Sequence, residues 1–283
     1  MSSPADALRA LLAEPGLLVM PCCFDALSAR LIERAGFRLS FMSGFAVSAT
    51  RLALPDTGLI SYGEVLDQGR NICAAVSIPV IGDADTGYGN PLNAKRTLRG
   101  YAAAGFACAM IEDQLAPKRC GHTLGKEVVG RDEALARMRA AIDARDEGAD
   151  ILVMARTDAR APLGFDEALW RAQAFADLGA DLVFLEAPVD ESEMERACRH
   201  VTAPLMANLV EGGATPLLPA KQLESLGFKI AAYPLTLLAA STRAMGEALE
   251  SLRAGRAPSA LTPFDELQEL VGFDDYDRER KRY

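Results

Sequence analysis

Histidine is scarce in this chain, with two residues, His122 and His200, among 283. The six cysteines (Cys22, Cys23, Cys73, Cys108, Cys120 and Cys198) show no C-x-x-C spacing, so a structural zinc centre lacks its usual ligand pattern. The same irregular spacing offers no disulfide framework, and free thiols are expected in a large domain without one. No apolar run exceeds about seven residues, against the ~20 that a membrane helix needs. The opening residues, Met-Ser-Ser-Pro-Ala-Asp, carry no basic segment followed by an apolar one, so a cytoplasmic protein is expected. Positive charge is also in deficit: 30 Lys and Arg stand against 39 Asp and Glu, a net charge of -9. That balance repels nucleic-acid backbones and anionic membranes, so neither is an expected partner. It leaves room for a small anionic substrate, because a local site can be positive inside an acidic protein.

Half of the residues are hydrophobic and 24% are charged, the composition of a globular domain large enough to bury a sizeable core. Short apolar runs at 17–20, 39–42, 79–81, 107–111, 151–155, 182–185, 204–207 and 229–232 read as strands. Amphipathic stretches near 25–35, 63–75, 91–104, 131–147, 165–178, 190–200 and 219–226 read as helices between them. In 131–147, Ala134, Leu135, Met138, Ala141, Ile142 and Ala144 form one stripe, with Arg137 and Arg139 mainly off it. Eight even alternations predict an α/β fold, a closed (β/α)8 TIM barrel rather than an open sheet. Residues 1–255 are assigned to the barrel. A long helix over 235–254 is followed by a helical extension and charged tail, 256–283, of the same domain.

Nearly every predicted strand ends in a polar or ionisable residue: Cys22 and Asp25, Ser43, Asp83 and Asp85, Glu112 and Asp113, Arg156 and Asp158, Glu186, Asn208, Tyr233. In a (β/α)8 barrel those ends meet at one mouth. Asp83 and Asp85, two apart in Gly-Asp-Ala-Asp-Thr-Gly-Tyr-Gly-Asn, have the oxygen chemistry and spacing for a hard cation, Mg²⁺ or Mn²⁺; an Asp-rich turn is the rival reading. Asp56, Glu112 and Glu186 supply further acids for its surroundings. The segment Pro117-Lys-Arg-Cys-Gly-His-Thr-Leu-Gly-Lys126 sets Cys120 among Lys118, Arg119, His122 and Lys126, cations that favour a thiolate. Such a thiol can deliver a proton to carbon, or it is incidental to a basic loop. The planar fork of Arg156 suits a substrate carboxylate, with an ion pair to Glu186 as the alternative. Metal, arginine and a protonating thiol together point to enolate chemistry.

These residues resemble a known family. Ser43-Gly44, Pro55-Asp56-x-Gly58, Asp83-Ala-Asp-Thr-Gly-Tyr-Gly89, Glu112-Asp-Gln114, Lys118-Arg-Cys-Gly-His122, Ala155-Arg-Thr-Asp158 and Asn208-x-x-Glu-Gly-Gly213 resemble, in order, the isocitrate lyase/phosphoenolpyruvate mutase superfamily. The resemblance implies a barrel whose eighth helix is swapped between subunits in a homotetramer, a dimer of dimers. It implies Asp85 as the direct Mg²⁺ ligand, with Asp83, Asp56 and Glu112 acting through bound water. Ser43, Gly44 and Phe45 would hold a 2-oxo-acid carboxylate, and Gly121 and Asn208 would bind the remainder of the substrate. Cys120 would be the proton donor, flanked by Lys118 and His122, while Arg156 and Glu186 orient substrate oxygens.

The Lys-Arg-Cys-Gly-His segment resembles the lyase branch, including 2,3-dimethylmalate and 2-methylisocitrate lyases. Three departures narrow the implied substrate. Ala239 and the Pro263-Phe264 position lack arginines that help the methylisocitrate lyases hold a third carboxylate. Phe41 replaces a tyrosine, and Pro234 replaces the serine typical of oxaloacetate-hydrolysing relatives. The expected activity is Mg²⁺-dependent retro-aldol cleavage of a 2-alkylmalate to pyruvate and a smaller carboxylate. Carboxyphosphonoenolpyruvate mutase chemistry is the alternative, followed by 2-methylisocitrate cleavage, oxaloacetate hydrolysis and a non-catalytic acid-binding barrel.

Overall fold

The computed structural model describes residues 2–121 and 125–283. Eight strands, all parallel, follow one another around a sheet ordered β6-β5-β4-β3-β2-β1-β8-β7. They are β1 (Leu18–Cys23), β2 (Ser40–Met42), β3 (Val80–Asp83), β4 (Cys108–Glu112), β5 (Leu152–Thr157), β6 (Leu182–Leu185), β7 (Met206–Asn208) and β8 (Ile230–Tyr233). A parallel bridge between Val183 and Leu205 joins β6 to the start of β7 and brings the sheet round on itself. The expected (β/α)8 barrel is therefore the observed fold.

Side chains on a strand alternate between two faces, so every second residue of a barrel strand points inward. Here the inward rows are Met20 and Cys22; Leu39 and Phe41; Ile81; Cys108 and Met110; Leu152 and Met154; Leu182 and Phe184; Met206; and Ile230 and Ala232, all in one buried cluster. Continuing the rows of β2 to β8 by two residues reaches Ser43, Asp83, Glu112, Arg156, Glu186, Asn208 and Pro234, while the β1 row reaches Phe24. The same period that fills the core thus delivers polar groups to the mouth. At the opposite end, Leu8 and Leu11 of α1 (Pro4–Ala13) join that cluster and close the barrel floor.

Besides the single turn α7 (Arg160–Leu163), two helices of the barrel were not among the sequence expectations. One is α1, capped by Ser3, whose side chain accepts from Asp6 N. The other is α3 (Gly44–Leu52), where Gly44, Phe45, Val47, Ser48 and Thr50, five of its nine residues, favour helices weakly. Burial of Ala46 and Val47 and an N-cap at Ser43 hold it in place. The intervening helices agree in order with the expected ones: α2 (Ala26–Arg34), α4 (Tyr62–Ala75), α5 (Pro91–Ala104), α6 (Arg131–Asp146), α8 (Phe165–Asp177), α9 (Glu191–His200) and α10 (Ala220–Leu226). In α6 the stripe is as expected except at Arg137, which is buried rather than on the polar face. Its Nη1 donates to the carbonyls of Glu112 and Gln114 at 2.8 and 2.9 Å, fixing the exit of β4.

The chain divides into two compact units, Met1–Thr236 and Leu237–Tyr283. The second is helical, with most of α11 (Thr236–Arg253), then α12 (Phe264–Val271) and α13 (Phe273–Arg280). Met245, Leu249 and Leu252, one stripe of α11, are exposed. Among the described residues no helix is long and apolar enough to cross a membrane.

Candidate active site

The mouth of the barrel encloses a pocket of ≈ 520 Å³. Its floor is the top inward layer, Cys22, Phe41, Met110, Phe184, Met206 and Ala232. Above that floor stand Ser43, Asp56, Asp83, Arg156, Glu186 and Asn208, joined by Phe45, Cys120 and Gly121. Ser43 and Asn208, 165 positions apart in sequence, converge there because the strands end at one mouth, while Asp56 and Cys120 come from the connections after β2 and β4.

Ser43 caps α3, its hydroxyl accepting from Ala46 N at 3.4 Å. The Ser43-Gly44-Phe45 segment therefore lies at a helix N-terminus, where backbone N–H groups and the helix dipole favour an anion. Gly44 N donates to Asp83 Oδ2 at 3.2 Å, and a Cβ at Gly44 would stand 2.6 Å from that oxygen. Only glycine permits this approach.

Asp83 Oδ1 accepts from Asp85 N at 3.1 Å, and Asp85 itself adopts φ 47, a left-handed conformation unusual for a non-glycine residue. Asp85 does not itself line the pocket; Lys118 links it to Asp56, which does. Lys118 Nζ lies 2.5 Å from Asp56 Oδ1 and 2.8 Å from Asp85 Oδ1. The second contact is an ion pair outside hydrogen-bond geometry, leaving Asp85 Oδ1 without a hydrogen bond among the described residues; Glu112 Oε1 is in the same position.

Arg156 lies against three carboxylates: Asp158 Oδ2 at 2.8 Å, Glu186 Oε2 at 3.1 Å and Glu112 Oε2 at 3.3 Å. Of the expected alternatives for Arg156, the ion pair with Glu186 is observed, and the guanidinium also lines the pocket. Asn208 Nδ2 reaches Glu186 Oε2 at 3.5 Å. Lys126 Nζ donates to Asp158 Oδ1 at 3.0 Å. The charges of Lys118 and Lys126, expected to favour a Cys120 thiolate, are thus met by carboxylates. His122 lies outside the described residues.

Six buried carboxylates (Asp56, Asp83, Asp85, Glu112, Asp158, Glu186) face three buried cations (Lys118, Lys126, Arg156). The excess of negative charge registers in the acids themselves. Burial, followed by the nearby Asp85 charge, pushes the Asp83 carboxyl up to about 6. Burial also raises Glu112 well above the usual carboxylate range and Asp56 above its ordinary value. Asp158, held by Arg156 and Lys126 despite burial, is lowered to about 2.

An all-oxygen donor set with excess negative charge and unsatisfied oxygens on Asp85 and Glu112 fits a hard divalent cation. Among the described residues, no group of three His, Cys, Asp or Glu side chains is gathered as a ready cage.

Support for this site comes from residues that the sequence named at a strand end or in a motif but to which it gave no role. Asp113 accepts from Thr157 Oγ1 (2.7 Å), Asp158 N (2.8 Å) and Arg171 Nη1 (3.0 Å), locking the end of β5. Gln114 holds Arg119 by both backbone groups, at 2.9 Å each. Alternation would have placed Asp113 on the outer face of β4, but its partners are distant in sequence and left no local signal.

A parallel barrel with acids, an arginine and a thiol at its mouth defines an α/β enzyme of small anionic substrates. The phosphoenolpyruvate phosphomutase family model matches residues 8–253, and the chain belongs to that family. It is 41% identical over 275 residues to 2,3-dimethylmalate lyase of Eubacterium barkeri, covering 95% of this chain and 94% of that protein. It is 39% identical over 281 residues to the chloroplastic carboxyvinyl-carboxyphosphonate phosphorylmutase of Arabidopsis thaliana (96% and 83% covered). It is 40% identical over 254 residues to 2-methylisocitrate lyase of Salmonella typhimurium (89% and 86% covered). Among solved structures, oxaloacetate acetylhydrolase in complex with 3,3-difluorooxalacetate matches with a TM-score of 0.94 at 36% identity, covering 99% and 96% of the two chains. Phosphonopyruvate hydrolase in complex with oxalate and Mg²⁺ matches with a TM-score of 0.88 at 32% identity, covering 100% and 99%. The expectations of this superfamily and of a carbon–carbon lyase within it are borne out.

Proposed function

We propose that the protein cleaves a 2-alkylmalate to pyruvate and a smaller carboxylate, with Cys120 protonating the departing carbon. The observation that carries this reading is the meeting of Cys120, Ser43, Arg156, Glu186 and Asn208 around one pocket with an apolar floor. A dicarboxylate has a station for each end: the α3 N-terminus at Ser43, Gly44 and Phe45 for the 2-oxo-acid carboxylate, and Asn208 with Gly121 for the other. Phe41, Phe45, Phe184, Val210, Pro234 and Leu235 offer apolar surface for alkyl groups. Arg156 is the one cationic residue lining the pocket among those described, and its charge is already shared by three acids. A third carboxylate on the substrate would face no free cation there, which disfavours a tricarboxylate.

Asp85 would hold Mg²⁺ directly, with Asp83, Asp56 and Glu112 reaching it through water. Once bound, the cation supplies charge stabilisation for the oxygen that becomes the carbonyl. Arg156, oriented by Glu186, directs its N–H groups at substrate oxygens. As the hydroxyl passes its proton to a carboxylate lining the pocket, for which Glu186 is placed, the bond between C2 and C3 breaks and its electron pair passes into the second carboxylate. The Cys120 thiol then gives its proton to C3. One proton leaves oxygen and one arrives at carbon, so the cleavage is balanced. Lys118, paired with Asp56 and Asp85, fixes the near end of the Cys120 segment against the metal-side acids. His122 is proposed to belong to the same segment on the strength of the Lys-Arg-Cys-Gly-His motif alone. The exposed α11 stripe supports a role for the helical unit as the element exchanged between subunits of a homotetramer.

The test is a substrate panel of 2-alkylmalates, 2-methylisocitrate, oxaloacetate and phosphonopyruvate with Mg²⁺, followed by 2-oxo-acid release and phosphorus NMR. A 2-alkylmalate is expected to have the highest kcat/KM, with 2-methylisocitrate lower by about a hundredfold or more for its unpaired carboxylate. Preferential oxaloacetate hydrolysis, or a rearranged phosphonate, would replace this reading.

A further inference from the structure

We propose that Lys126 is a positioning residue that holds the Cys120 thiol in register with Arg156. The inference rests on the reading of Cys120 as proton donor and concerns a residue that does not line the pocket.

Cys120 lies between two anchored neighbours. On one side the Gln114 side-chain amide brackets the N–H and carbonyl of Arg119. On the other, Lys126 Nζ donates to the carbonyl of Gly121 and, at 3.0 Å, to Asp158 Oδ1. Both members of the Lys126–Asp158 pair are almost wholly withdrawn from solvent, at 2% and 0% side-chain exposure. A buried ammonium donating to two fixed acceptors is a directional tie, unlike a surface ion pair.

Each end of that tie is itself rigid. Lys126 precedes a backbone-paired segment, in which Leu115 N donates to Glu127 O and Val129 N to Asp113 O, both at 2.9 Å. Asp158 takes two hydrogen bonds from Arg156, Nε at 2.8 Å and Nη2 at 2.9 Å. The path from the thiol therefore runs through the Gly121 carbonyl, Lys126 and Asp158 to the guanidinium that lines the pocket. Its tolerance is small, because a Cβ on Gly121 would stand 2.4 Å from Glu186 Oε2 and 2.5 Å from Arg156 Nη2. The Gly121 backbone is pressed against the Arg156–Glu186 pair, and Lys126 is the side chain that keeps it there. Proton delivery to carbon depends on placement to within about an ångström, so loosening this tie acts on turnover more than on substrate capture.

The experiment compares wild type with Lys126→Met, Lys126→Gln and Lys126→Arg, each verified as folded by melting temperature and circular dichroism. Two readouts are taken: kcat and KM on the best 2-alkylmalate, and the rate at which iodoacetamide alkylates Cys120 without substrate, mapped by mass spectrometry. Lys126→Met is expected to lower kcat about tenfold to a hundredfold with KM nearly unchanged. Alkylation of Cys120 rises about fivefold or more as the segment is released, and Lys126→Arg restores both values most of the way. Lys126→Gln, which keeps a neutral donor, serves if the methionine variant does not fold. Wild-type kcat and alkylation rate in the neutral variants would overturn the proposal, as would a loss of kcat with unaltered Cys120 alkylation. The alkylation arm needs no substrate, so it separates failure of this tie from failure of the lyase reading.

Discussion

Cys120→Ser is expected to lower 2-alkylmalate cleavage by about a thousandfold while leaving the binding of Mg²⁺ and oxalate intact. The substitution keeps size and hydrogen-bonding capacity, so the tie from Gly121 to Lys126 and the bracket on Arg119 survive it. What changes is acidity, since an aliphatic hydroxyl gives up its proton far less readily than a thiol. The proposed carboxylate station at the α3 N-terminus and the acids Asp83 and Asp85 lie outside the Cys120 segment, so ligand affinity is expected to be unaffected. Coupled measurement of pyruvate release and calorimetric titration of oxalate with Mg²⁺ give the two halves. A serine variant that cleaves at the wild-type rate removes Cys120 from the mechanism.

The second large effect is a pH-dependent response to Mg²⁺. Folding raises the Asp83 carboxyl from its ordinary value to about 6, so the folded protein binds that proton more tightly than the unfolded chain. Its contribution to metal-free stability is complete below about pH 4 and is lost as pH rises through 6, a difference of about 3 kcal/mol. Glu112 and Asp56 are shifted in the same direction and add to it. A divalent cation relieves that repulsion where the carboxyls are ionised. Mg²⁺ at about a hundred times its dissociation constant is expected to raise the melting temperature by about 5–10 °C at pH 7.5. At pH 5 the proton on Asp83 competes about tenfold, and the same Mg²⁺ concentration gives roughly half the shift. Thermal melts with and without EDTA measure both. An equal shift at the two pH values would contradict the assignment of these acids to the cation.

Much of this site could be read from the chain because a barrel converts strand periodicity into location. Once 107–111 and 151–155 are strands, the next inward positions must be Glu112 and Arg156, whatever the sequence between them. The α3 helix was not legible for a different reason. Its residues have weak helix propensity, and its stability comes from burying Ala46 and Val47 and from the Ser43 cap. The tie through Lys126, and the locks at Asp113 and Gln114, join residues that are far apart or on opposite sides of a turn. Charge counting alone assigned Lys118 and Lys126 to the thiol. The fold gives them to Asp56, Asp85 and Asp158, which leaves the mouth of an acidic protein more acidic still.

The most direct test of the lyase account is to run the wild-type protein with Mg²⁺ and 2,3-dimethylmalate in D₂O and follow the products by NMR. The account predicts pyruvate and propionate in equal amounts, with one deuterium on the propionate carbon that left C2, because an exchanged Cys120 thiol supplies that atom. Substrate that remains intact, or propionate that forms without solvent deuterium, would contradict it.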